Sequence, residues 1–98
     1  MAQVGNKPPP LDLESAEALA LQGLTFLAED RARFLRFLKL TGLQAEAARA
    51  RAGTPELALA VLEHLCADES LLLVFAESRA VPPQSVAQAI ALLEAIGP

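Results

Sequence analysis

The chain has 98 residues, 53% apolar and 20% charged, with a formal net charge of -4 and with 19 Leu and 20 Ala. That length admits one domain and no second, and so apolar a chain can bury enough surface to offset its ordering entropy, which excludes disorder throughout. An isoelectric point near 4.8 runs against the basic footprint usual in nucleic-acid-binding domains.

The apolar excess lies in strong helix formers, whereas Val and Ile number only five and two and Tyr and Trp are absent. The expected class is therefore all-α. Cys66 is the sole cysteine, so it can close no intramolecular disulfide and can build no thiolate cage. It points to a reducing compartment. Met1 to Pro10 has no apolar segment of the kind a secretory signal needs, and the uncharged runs Ala18–Ala28 and Ala80–Leu93 fall short of the roughly 20 residues of a membrane span. The expectation is a cytoplasmic chain with no membrane association.

Residues 1–10 lack periodicity and end in Pro8-Pro9-Pro10, the pattern of a disordered proline-containing arm. Residues 11–98 read as a single helical domain. Asp12 is positioned to cap a first helix over Leu13 to Ala28, with Ala16, Leu19, Ala20, Gly23, Leu24, Phe26 and Leu27 on one face. Asp30 caps a second, Arg31 to Leu40, which sets Phe34, Leu35, Phe37 and Leu38 against Arg33, Arg36 and Lys39, and Gly42 supplies a left-handed stop. A weakly amphipathic third helix spans Ala45 to Ala52 and halts at Gly53. Thr54-Pro55-Glu56 then combines a capping hydroxyl, a proline at the first helical position and an acid, opening a fourth helix that runs to Cys66. Leu57, Ala58, Leu59, Val61, Leu62, Leu65 and Cys66 are its expected buried arc. Asp68 caps a fifth helix whose Leu71 to Phe75 leave almost no polar face, and Pro82-Pro83 opens a sixth, Pro83 to Ile96, with Val86, Ala89, Ile90, Leu92, Leu93 and Ile96 inward. The architecture predicted is a compact orthogonal bundle of five or six short helices.

A shift of 38 residues aligns helices one to three with helices four to six. Leu19, Ala20, Leu21, Leu24, Leu27, Asp30, Leu35 and Phe37 then meet identical residues at Leu57, Ala58, Leu59, Leu62, Leu65, Asp68, Leu73 and Phe75. Helical periodicity in a chain rich in Leu and Ala produces such matches by itself. The alternative is a true repeat, two three-helix units facing each other in one core because neither can bury a face alone.

The run Glu17 to Leu27 (EALALQGLTFL), the LTGL turn at Leu40 to Leu43 and the ADESLL string at Ala67 to Leu72 resemble a family of short bacterial proteins, domain of unknown function 3572. The resemblance covers about residues 14–96. It implies an all-helical cytoplasmic protein and transfers no site residue, because the family carries no established activity. Where relatives would open helices with Asp-Pro, this chain has Gln44-Ala45 and Pro82-Pro83.

For chemistry the inventory is thin. His64 and Cys66 stand two apart on one helix and point to opposite sides, so they cannot act as nucleophile and base; the plainer expectation is His64 at a core margin and Cys66 buried. Glu63, Asp68, Glu69 and Glu77 surround a helix junction where capping accounts for Asp68. No phosphate-cradling loop, dinucleotide fingerprint or nucleophile elbow occurs. No catalysis, cofactor or metal is expected.

Charge is unevenly placed, since Arg31, Arg33, Arg36, Lys39, Arg49 and Arg51 hold six of the eight basic residues. Helix two, the Thr41-Gly42 turn and helix three could form a helix-turn-helix, giving residues 31–51 a nucleic-acid-binding reading with Arg49 and Arg51 near the phosphates. The plainer reading is a solvated basic face paired with nearby glutamates. Helix five belongs at the bundle centre on its composition; otherwise Leu59, Leu72, Leu73 and Val74 reach an apolar patch that a partner or second copy covers. The function expected is a protein-interaction module with an unknown protein partner or as a homodimer, acting through that patch or through Arg33, Arg36, Lys39, Arg49 and Arg51.

Overall fold

The computed structural model describes residues 11–96, and the proline-containing arm expected over 1–10 lies outside them. Six helices follow in order: α1 (Leu13–Ala28), α2 (Arg31–Thr41), α3 (Ala45–Ala50), α4 (Pro55–Cys66), α5 (Glu69–Arg79) and α6 (Pro83–Ile96). The fold is an all-α bundle, and the helix starts fall where short polar side chains can satisfy the free amides of a first turn. Asp12 accepts from the Ser15 amide at 2.8 Å, Asp30 from that of Arg33 at 3.0 Å, Thr54 from that of Leu57 at 3.3 Å and Asp68 from that of Leu71 at 3.2 Å.

The centre is built by α1, α4 and α6, each packed on the other two. Their inward stripes contribute Ala16, Leu19, Ala20, Phe26 and Leu27 from α1, Leu57, Val61, Leu62 and Leu65 from α4, and Val86, Ala89 and Leu93 from α6. Close approach of α1 and α4 depends on Gly23. A Cβ there would stand 2.9 Å from Val61 Cγ1 and 3.1 Å from Leu65 Cδ1, nearer than side chains pack.

Helices α2 and α5 flank this centre, each anchored by one wholly buried phenylalanine, Phe37 and Phe75. The central position expected for α5 is thus corrected. Only Phe75 and Ala76 of that helix are buried, because it turns back from α4 at Asp68 and touches the centre along a single stripe. Its inward positions, Leu71, Leu72, Phe75, Ala76 and Arg79, follow helical spacing, so Leu73 and Val74 of its apolar run face outward.

The 38-residue register recurs in the structure. Arg31 and Glu69 begin α2 and α5, Thr41 and Arg79 end them, Ala45 and Pro83 begin α3 and α6, and Ala28 and Cys66 end α1 and α4, each pair separated by the same interval. Burial follows it: Leu19 and Leu57, Leu27 and Leu65, Phe37 and Phe75, and Ala48 and Val86 are all buried, while Leu35 and Leu73 are each 50% exposed. Even the left-handed stops correspond, Gly42 after α2 at φ 76° and Ala80 after α5 at φ 56°. Gly23 and Val61, also equivalent, lie against one another, as equivalent residues do beside an axis relating two units.

The register breaks at α3. This helix has six residues where α6 has 14, and it ends at Ala50 rather than at the expected Ala52. The Thr54 hydroxyl donates to the Arg51 carbonyl at 2.7 Å and the Thr54 amide to the same oxygen at 2.9 Å, which turns the chain out of α3 and into α4.

Candidate interaction surface

No helix among the described residues is long and apolar enough to cross a membrane. The large apolar side chains left exposed are Leu21, Leu35, Leu40, Leu73, Val74 and Ile96. Of the patch expected around α5, Leu73 and Val74 stand open, whereas Leu59 and Leu72 are half-buried and rest on the core. The open pair is a product of register: once Asp68 fixes the start of α5 and Phe75 fills the core, positions 73 and 74 can only face away.

A groove runs between α1 and α4 beside the α3 to α4 turn. Its walls are Glu17, Ala20, Leu21 and Leu24 on one side and Leu57, Ala58 and Val61 on the other, Ala52 and Gly53 close one end, and it holds about 120 Å³. Leu24 also lines a second recess, about 330 Å³, formed with Phe34 of α2 and Ala48 and Arg49 of α3. The two recesses share Leu24; Glu17 borders the first and Arg49 the second.

The five basic candidates are not brought to one face. Arg33 is half-buried, its guanidinium 4.6 Å from the centre of the Phe26 ring. Phe26 in turn meets Phe75 edge-on at 5.3 Å, so Arg33 caps an aromatic pair joining α1 and α5. Arg36 acts on His64, Arg49 borders Leu24 and Phe34, Arg51 borders Thr41 and Glu56, and Arg36, Lys39, Arg49 and Arg51 are exposed. The expected pairing with glutamates is also corrected: among the described residues no carboxylate lies within 4.0 Å of these side chains.

Arg79 is the only Lys or Arg after Gly53. It lies on the inward stripe of α5, with Nη2 3.1 Å from Glu29 Oε1, and it rests at the carbonyl end of α1, which has no basic residue in its own last turn. A cation from α5 thereby complements the negative end of another helix. Its Nε and Nη2 are buried without hydrogen-bond partners, so the contact is Coulombic and not an aligned bond.

His64 lies at the core margin as expected, edge-on to Phe37 at 5.2 Å. Burial first, and then the nearby Arg36, holds its imidazole below the ordinary value, while Asp68 opposes them. Cys66 is exposed, not buried; α4 ends there and its side falls outside the contact with α5. Partial burial and then Glu63 push its thiol up, which disfavours the reactive thiolate. Among the described residues, no three of His, Cys, Asp and Glu are grouped as a metal ion would require.

These features define a small all-helical domain with a shared core and unoccupied apolar edges. The family model of protein of unknown function (DUF3572) matches residues 13–95, and the chain belongs to that family. Neither a curated protein nor a solved structure matches it.

Proposed function

We propose that this protein is a non-catalytic protein-interaction module of the cytoplasm, whose partner is another protein or a second copy of the chain. The observation that carries this reading is the exposed Leu73-Val74 pair, 50% and 44% open on a helix whose polar positions could have faced water at no cost to the core. Leu35 and Leu40 on α2, 50% and 64% exposed, extend the apolar surface available. The lone Cys66 suits a reducing compartment.

Sedimentation of the purified chain at several concentrations, in low and high salt, tests it together with a pull-down comparing the wild type with Leu73→Glu. Self-association that survives salt, or a partner lost on substitution, is the expected result. A strict monomer that retains the same proteins with and without Leu73→Glu removes the reading. The second reading, nucleic-acid binding through residues 31–51, is favoured by the six cations of that segment, none of which has an ion-pair partner among the described residues. It predicts affinity for duplex DNA that falls steeply with added salt.

A further inference from the structure

We propose that the groove between α1 and α4 docks an amphipathic helix from a partner protein, in the place that α3 leaves unfilled. This inference rests on the interaction reading and names its site.

The argument starts from the register. α6 lies across both α1 and α4 and fills its seat with Val86, Ala89, Ile90 and Leu93, apolar at i, i+3, i+4 and i+7. The equivalent helix, α3, begins 38 residues earlier but stops after six residues, since the chain must enter α4 at Pro55. Residues 51–54, which correspond to the part of α6 that runs on past Gln88, form a turn instead. Beside that turn opens the groove of Leu21, Leu24, Leu57 and Val61. Ala20 and Ala58, equivalent in the register, both line it, so it sits on the face shared by the two central helices.

The occupant's chemistry follows from what fills the matching seat and from the charge in the groove wall. It is a helix with small and branched apolar residues at i, i+3, i+4 and i+7. It carries a base where it passes Glu17, the one charged side chain in the groove wall. Leu21, 46% exposed on the rim, is the side chain such a helix would cover first.

The test titrates the intact, isotopically labelled chain with a capped peptide of residues 83–96 bearing Glu94→Lys, which carries the required stripe and a base, and follows amide shifts. Expected are shifts at Leu21, Leu24, Ala52, Gly53 and Leu57, with affinity at least tenfold weaker for Leu21→Glu, a variant whose far-UV circular dichroism matches the wild type. Shifts centred on the seat of α6, showing replacement of the resident helix, overturn the proposal, as does affinity indifferent to Leu21→Glu. Binding at Leu73 and Val74 overturns the groove assignment and leaves the interaction reading standing. No binding at millimolar peptide overturns the groove assignment, while the sedimentation and pull-down results decide the broader reading separately.

Discussion

The halves 13–50 and 55–96 use one plan and finish it differently. In the second, α6 runs for 14 residues and locks α4 to α1; in the first, α3 runs for six and locks little. The cause is local, because the Thr54 hydroxyl and amide both donate to the Arg51 carbonyl and so begin the turn into α4 there. A shared register thus ends in an asymmetric surface, with a long helix after α5 and a short one after α2.

If the halves are equivalent in their cores, the largest effects should match. Phe37→Ala and Phe75→Ala each remove a wholly buried ring, and each should cost about 3–5 kcal/mol in urea unfolding. Losses that differ by more than about 2 kcal/mol would break the equivalence, given the spread such substitutions show.

The α1–α4 contact gives a smaller effect. Gly23→Ala gains about 1 kcal/mol of helix propensity, yet its Cβ meets the stiff Val61 side chain at 2.9 Å, and overpacking of that kind costs about 1–3 kcal/mol. A net loss near 1 kcal/mol is expected, and a double-mutant cycle with Val61→Ala should show favourable coupling.

The left-handed stops sharpen the comparison through sign. Gly42→Ala places a Cβ at φ 76° and should lose about 1 kcal/mol, whereas Ala80→Gly relieves a Cβ at φ 56° and should gain up to about 1 kcal/mol. Chemical denaturation of both variants decides it.

The smallest effect concerns His64, whose equivalent is Phe26. Above its ordinary value near 6.5 both states hold it neutral, and its contribution is at its maximum. As pH falls below that value the unfolded chain takes up the proton first, so stability declines until the folded imidazole also titrates. Proton NMR should place His64 below the ordinary value in the wild type and higher in Arg36→Gln.

The starts of the helices were legible because capping is local: Asp12, Asp30, Thr54 and Asp68 each act on an amide three residues away. The end of α2 was legible for the same reason, from Gly42. The early end of α3 was not, since the Ala-rich run contains no breaker before Gly53 and the deciding bonds reach back from Thr54. Periodicity found the stripe of α1 but could not rank α5 against α6, because an all-apolar run carries no phase. It placed Arg33 with Arg36 and Lys39 by angle alone, and only the position of Phe26 on a different helix explains why Arg33 turns inward. Cys66 was misplaced because Leu65 beside it takes the core position of that last turn and leaves Cys66 to solvent.

The interlocked centre has a consequence for molecularity. Since α1 rests on α4 and α6 more extensively than on α2 of its own half, the first three helices and the last three are two pieces of one interior, joined by residues 51–54. Two chains that traded their last three helices would satisfy every one of those interfaces again. The turn that leaves α3 short is therefore also the covalent link that such an exchange would have to straighten.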